Sequence, residues 1–359
     1  AVVACIDGVV CCRDSSRIIL HASGMQMQNI LHITNGDGAG DLLTASTLPG
    51  DVLPWRDTMH QGPFPDIDDI DEVSRARAKF LAGEALPVDA VQADMLARNN
   101  LLRLAADRDE VILWFEHDLL DQLQLVQILD WFSQPERRPD KLTLICIDDY
   151  PGIVPFRGLG QLSPPQIAGL VEQRVPVDAV MMDVSVRVWS AFRKEQPTDL
   201  FDILGSDMTA LPFLAPALRR HLQEFPSSGS GLTRTEQQLL EIAAEGPVGP
   251  GHLFRENMAR EDRLHMGDWQ IFDRIACLMD TGCPLLRTVS GDAFLYPPVD
   301  NLLRDDFLEL TPEGLAALSG DLEPGRIRRH EWLGGVELRS GQMLWTWSER
   351  EQCLRHLRF

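Results

Sequence analysis

Three short apolar runs constrain this chain more than any other feature. Ile30–Thr34 (ILHIT), residues 110–115 (EVILWF) and residues 141–147 (KLTLICI) each stop abruptly at polar residues. Near-continuous apolar character marks strands buried on both faces, and two-sided burial needs helices on either side of the sheet. Helical patterns fill the intervals, at about residues 70–82, 87–106 and 119–132. Strands alternating with helices of this length predict a parallel sheet. A further short strand fits residues 51–55. Residues 59–65 (MHQGPFP) read as a loop, because Gly62, Pro63 and Pro65 fit poorly inside regular elements.

The expected fold class is α/β: an N-terminal Rossmann-like parallel sheet with a smaller, mainly helical, winged-helix-like C-terminal domain. A chain of 359 residues is long enough for about two hydrophobic cores. Helices are expected at 164–173, 177–193 and 211–224, and the FPSSGSG stretch that follows has linker composition. The expected organisation is a non-core extension at 1–27, an α/β domain at 28–225, a linker at 226–231 and a second domain at 232–359. Thr233 precedes Glu236 by three residues, a capping-box pattern that opens the second domain's first helix. Further helices fit 250–258 and 267–279, the latter with Trp269, Phe272, Ile275 and Leu278 inward. With β-like runs at 285–289 and 293–296, three helices and a hairpin give a winged-helix outline. Residues 307–318 add a strand and a helix started by Pro312. Residues 332–338 and 343–347 predict a final strand pair, with Trp332, Trp345 and Trp347 as core.

Charge narrows the partners. Lys and Arg number 33 against 54 Asp and Glu, for a formal charge of −21. Neutralising phosphates takes clustered cations, so nucleic acid and an anionic membrane surface are both disfavoured. No apolar stretch approaches the roughly 18–20 residues that span a bilayer. The seven cysteines are scattered and form no C-x-x-C pair, which fits a reducing cytoplasm better than a disulfide framework or a zinc ribbon. The opening residues look superficially signal-like, but they lack a basic start and Asp7 interrupts their apolar run. The sequence begins without Met, and Met25 and Met27 stand just before the first strand, so the first 26 or so residues are expected to contribute little to the fold; the alternative is a genuine extra N-terminal strand.

Polar clusters follow the expected strands: Asn35/Asp37, Arg56/Asp57/His60, Glu116/His117/Asp118 and Asp148/Asp149. Ligands of open parallel sheets bind outside the carboxyl ends of the strands, where such clusters converge. The turn Asn35-Gly36-Asp37-Gly38 either offers backbone N–H groups to an anion or is a tight turn with Asp37 capping the next helix. In Glu116-His117-Asp118, the histidine suits acid–base work or metal ligation, and acidic neighbours would raise its pKa. Alternatively Asp118 caps the following helix and Glu116 pairs with Arg56. Arg56 has the fork that grips a carboxylate or phosphate. Asp148 and Asp149 could hold Mg²⁺, although a loop start is favoured. His252, His265, His330 and His356 carry no ligand pattern.

LHITNGDGAGDLL, VLPWRDTMHQGPFP and LWFEHDLLDQLQL, in that order, resemble the bacterial domain-of-unknown-function family 1835 over roughly residues 30–150. The later segments MGDWQIFDRIACL, LTPEGLAALSGD and WLGGVELRSGQMLWTW look like the C-terminal half of full-length members. The resemblance maps the family pattern onto Asn35, Gly36, Asp37, Trp55, Arg56, Asp57, His60, Gly62, Pro63, Glu116, His117, Asp118 and Gln122. Gly38 departs from it, standing where a small polar residue is usual. The resemblance implies a fold and a site and supplies no reaction.

The leading functional expectation is a ligand-binding protein or enzyme acting on a small anionic or phosphorylated substrate. Arg56 would hold the anion, with Asn35, Gly36, Asp57, Asp118 and Gln122 around it. His60 or His117 would transfer a proton, and Asp37 and Glu116 would orient the histidine or coordinate a divalent metal. The alternative is a protein-interaction or regulatory module, with a protein partner or a homo-oligomer. Nucleic-acid binding ranks below both, because the candidate recognition helix carries Arg274 among Asp268, Asp273 and Asp280.

Overall fold

A computed structural model describes residues 29–359 apart from 84–85, 264, 280–281, 293 and 295–306. The extension expected at 1–27 and most of the β-like run expected at 293–296 lie outside the described residues. The first half alternates as the apolar runs require: β1 (Ile30–Thr34), α1 (Asp37–Thr44), β2 (Asp51–Pro54), β3 (Gly62–Pro63), α2 (Ile70–Ala82), α3 (Val88–Arg103), β4 (Glu110–Glu116), α4 (Leu119–Ser133) and β5 (Leu142–Ile147). After β5 come α5 (Pro164–Gly169), β6 (Val175–Pro176), α6 (Ala179–Phe192), α7 (Thr198–Ile203) and α8 (Leu214–Leu222). Five of these strands form one sheet in the order β2-β1-β4-β5-β6, parallel except at β6.

Strand alternation divides the apolar side chains between two layers. Leu31, Ile33, Val111, Leu113, Phe115, Leu142 and Leu144 face a core shared with α4, α6 and α8. Ile30, Ile112, Trp114 and Ile145 turn the other way, onto Ala39 and Leu43 of α1 and Ile167 of α5. Helix α4 is buried nearly all round, so its Leu123, Leu125, Val126, Ile128 and Leu129 each contribute on the order of 1.5–3 kcal/mol. The chain leaves β1 for β2 on one side and then crosses to β4 on the other. The carboxyl ends of β1 and β4 therefore flank the sheet's switch point.

The second half begins with α9 (Arg234–Ala243), α10 (Pro250–Arg260) and α11 (Asp268–Met279), then β7 (Leu286–Thr288), β8 (Leu308–Leu310) and α12 (Pro312–Ser319). Thr233 and Glu236 cap α9 reciprocally, as their spacing predicts. Leu239, Leu253, Phe272, Ile275, Leu278 and Leu308 build a separate core, while Trp269, expected inward, is exposed. Four strands close the chain: β9 (His330–Gly334), β10 (Val336–Arg339), β11 (Met343–Ser348) and β12 (Cys353–Arg358).

The single final strand pair expected from the sequence is instead two hairpins, β9–β10 and β11–β12. Gly334, at φ +63°, and Gly335 turn the chain inside the WLGGVEL run, and a Cβ on Gly335 would lie 1.9 Å from the Arg193 carbonyl oxygen. Leu333, Val336, Leu338, Leu344 and Trp347 pack into the sheet's core rather than that of α9–α12. The 232–359 segment thus contributes to both cores. Residues 226–231, expected as a linker, form a hydrogen-bonded turn: Ser228 N donates to the Trp347 carbonyl (3.0 Å) and Trp347 N to that of Pro226 (2.9 Å).

The expected loop at 59–65 contains β3, which β9 joins in parallel with Gly62 opposite Leu333. Pro63 fits because this strand lies at an edge of its small sheet. From the other side Arg77, fully buried on α2, grips Asp57 (Nη2–Oδ1 2.6 Å) and donates to the carbonyls of Gln61 (2.7 Å) and Thr58 (3.1 Å). Asp57→Ala would strand that guanidinium without its counter-charge. The expected outcome is a loss of about 3–5 kcal/mol of unfolding free energy, measured by urea denaturation. An unchanged midpoint would remove Arg77–Asp57 as the anchor of this loop.

Candidate functional site

Where β1 and β4 end, the chain gathers carboxylates. Glu116 is the last residue of β4, and Asp118 caps α4 by accepting from Asp121 N (2.9 Å). Asp121 Oδ1 accepts from Glu116 N (2.7 Å). From β1's end, the Asn35 amide nitrogen donates to Glu116 Oε1 (3.1 Å) and Asp121 Oδ2 (3.0 Å). Leu159 N donates to Glu116 Oε1 (2.5 Å), and Gln122 Nε2 to the Glu116 carbonyl (2.7 Å). Gly158, at φ +153°, lets the chain pass so closely that a Cβ there would meet Glu116 Oε2 at 2.2 Å.

All three carboxylates are buried, and oxygens of Glu116, Asp118 and Asp121 lie within 4.8 Å of one another. Among the described residues, none of the three has a Lys, Arg or His within ion-pair range. Burial first, and then the neighbouring Asp118, pushes Glu116 up to about 8. Burial alone raises Asp118, to about 6. Asp121 is held well above the usual carboxylate range by burial, Asp118 and Glu116. Like charges this close out of water either keep protons or share a cation. The donor set is all oxygen, which suits a hard divalent ion such as Mg²⁺ or Ca²⁺.

Beside the trio lies a cavity of about 230 Å³, lined by Gln122, Cys146, Gln173, Met181, Leu211 and Phe213 among others. Gln122 borders both spaces, since its amide also holds the Glu116 carbonyl.

The other expected site residues are distributed differently. Arg56 pairs with Asp37 (Nη2–Oδ1 2.7 Å) and more loosely with Asp94 (3.4 Å), both at the surface, rather than with Glu116. Asp37 is the first residue of α1 and spends its carboxylate on Arg56, so the cap position falls to Gly36, whose side provides no capping hydrogen bond. Asp57 is taken up by Arg77. Asp148 and Asp149 are exposed at the start of a loop.

His117 is buried, and its pKa falls rather than rises. Burial dominates, and Arg263, which donates to the His117 carbonyl (3.2 Å), outweighs the acidic neighbours. His60 sits in a different cluster. Its ring centroid is 5.7 Å from that of His265, and burial followed by His221 pushes it down to about 3. The titratable groups that act on it are His221, Glu224, Arg77 and Arg220, rather than Asp37 or Glu116.

Two residues of the site escaped the sequence reading. Asp121 follows Asp118 by three, the spacing of a cap with its return partner. Gln124 donates to the carbonyls of Asn35 (3.2 Å), Trp55 (2.8 Å) and Asp57 (3.0 Å), tying three strand-end segments to α4. The available signal was glutamines recurring within the apolar run LLDQLQLVQIL. No family model matches this sequence, and no match is found among curated proteins.

The carboxylate trio sets a pH dependence. Glu116 holds its proton up to about 8 in the fold but only to its ordinary 4.5 in the unfolded chain. Between those values the folded state binds the extra proton, so raising the pH favours unfolding. The buried histidines work in the opposite sense, but only below their ordinary 6.5. In buffer free of divalent cations, urea denaturation should show stability falling from about pH 6.5 to about pH 8, with a shallower fall in Glu116→Gln. Stability that is flat or rising over this range would contradict the assignment.

Proposed function

We propose that this protein binds a small anionic or phosphorylated ligand at the switch-point crevice, through a divalent cation held by Glu116, Asp118 and Asp121. The observation that carries this reading is three buried carboxylates with converging oxygens and, among the described residues, no cationic side chain on them. A bound cation would neutralise the trio and act as a Lewis acid toward a phosphoryl oxygen. Asn35 would fix the orientation of Glu116 and Asp121, and Asp118 would present its remaining oxygen. The adjoining cavity would take the uncharged part of the ligand, with Gln122 at the junction. Arg56, half-exposed beside the first turn of α1, could exchange its Asp37 partner for an incoming anion. In this reading His60 is neither acid nor base toward the ligand.

Turnover of the bound ligand would need a proton-transfer group, and His117, beside Glu116 and held neutral by burial, would serve as the acceptor. Residues of the resemblance to domain-of-unknown-function family 1835 fall around the trio, with Asn35, Glu116, Asp118 and Gln122 among them, which supports that family as the proposed one. We infer a Rossmann-like class for the sheet and a winged-helix-like class for the three helices and two strands of the second core. Arg274, the cation of the helix proposed to read nucleic acid, is taken up by Glu236 (3.2 Å) and Glu331 (2.7 Å), which favours a covering role for this unit. A cytoplasmic location fits the absence of paired cysteine motifs.

Isothermal titration of EDTA-treated protein with Mg²⁺ or Mn²⁺ near pH 8 tests the reading. One ion should bind, and a phosphate monoester should bind more tightly in its presence. Asp118→Asn should weaken the ion about 10–100-fold. Absence of binding at millimolar Mg²⁺ and Mn²⁺, or an unchanged affinity in Asp118→Asn, would overturn it.

A further inference from the structure

A second group of buried polar side chains stands apart from the carboxylate trio. His60 comes from the loop before β3, His221 from the last turn of α8, Glu224 from just beyond that helix, and His265 from between α10 and α11. Their exposures are 3%, 2%, 2% and 5%. Among the described residues, both ring nitrogens of His60 and of His265, Nδ1 of His221 and Oε2 of Glu224 have no hydrogen-bond partner. A buried polar atom without a partner keeps the cost of its lost hydration uncompensated. Polar atoms left this way in one place call for something that completes them.

We propose that His60, His221, His265 and Glu224 form a binding site for a transition-metal ion of the zinc class, tying the His60 loop to the helical second core. Imidazole nitrogens with one carboxylate oxygen suit Zn²⁺, Co²⁺ or Fe²⁺ rather than Mg²⁺. Two imidazoles on one tetrahedral ion, with metal–nitrogen bonds of about 2.0–2.1 Å, have ring centroids about 5–6 Å apart. The His60–His265 separation is 5.7 Å. His265 Nε2 also lies 3.6 Å from Glu224 Oε1, which places the imidazole beside the carboxylate whose other oxygen is unpartnered. Burial holds the rings neutral, with His221 pushed down to about 4, so a lone pair on each is free to ligate at neutral pH.

The surroundings leave room for this role. Glu224 Oε1 is occupied by Arg220 (2.6 Å) and the Thr235 hydroxyl (2.6 Å), so Oε2 is the oxygen left for an ion. Arg220 divides its guanidinium between Glu224 and Glu261 (2.9 Å), and Arg77 is taken up by Asp57. No three of these donor atoms lie within 4.8 Å of one another, so loading requires rotation of at least one ring.

Titration of the EDTA-treated full-length protein with Co²⁺, followed by visible absorption, tests the site. The expected result is one equivalent bound with the d–d spectrum of a nitrogen and oxygen site, no thiolate charge-transfer band, and displacement by Zn²⁺. His265→Gln and His60→Asn should each lose this spectrum, while Glu116→Gln should retain it. The proposal is overturned if the unmodified protein gives no such spectrum at one equivalent, or if a thiolate band shows that cysteines take the ion. It is equally overturned if the signal survives His265→Gln and disappears in Glu116→Gln. The wild-type spectrum decides even if a histidine variant does not fold.

Discussion

Negative charge brought out of water at the end of β4 is the condition around which the rest of this structure is arranged. A carboxylate in that position needs donors, and the chain brings them from three directions. Asn35 arrives from β1, the Leu159 amide from the segment after β5, and the Glu116 and Asp121 amides from the β4–α4 turn itself. The close passage of Gly158 and the placement of Asp118 at the α4 cap follow from the same need. Neutral donors reduce the cost of burial without cancelling the charge, so the trio remains tuned for protons or a cation.

The second half of the chain reaches the same end of the sheet. Arg263 reaches the His117 carbonyl, and Arg157 reaches that of Met258 (3.4 Å) from the opposite direction. Buried ion pairs lock the same boundary, with Arg329 on Glu236 (2.7 Å) and Arg220 on Glu261 (2.9 Å). Such pairs add little net stability over apolar packing, but each is costly to break singly, so they fix one arrangement of the two cores.

The sheet was legible because its strands carry a local signal: apolar runs of strand length ended by polar residues. The caps were legible for the same reason, since Thr233 and Glu236 lie within one helical turn. Asn35, Glu116 and Asp118 were visible as strand-end residues, and the parallel-sheet rule places strand ends together. What stayed hidden depends on contacts distant in sequence. Nothing near Arg56 signals that Asp37 rather than Glu116 is its partner. His265 looked isolated because its neighbour His60 is brought to it only by folding. The WLGGVEL run reads as one strand until the approach of Arg193 requires a turn at its glycines.

The joining of β9 to β3 has a consequence for the order in which this molecule can form. Gly62 and Leu333 pair across roughly 270 residues of chain, and Gly335 N donates to the Phe192 carbonyl across roughly 140 (2.9 Å). During synthesis, the sheet and its first helices leave the ribosome long before the hairpin that completes their core. Until then the His60 loop is held by Arg77 and by Gln124 on the Asp57 carbonyl, and the apolar patch awaiting Leu333, Val336 and Leu338 faces water. The nascent chain therefore passes through a stage in which the sheet holds secondary structure with an open seam, and residues 330–358 act as the closing stitch.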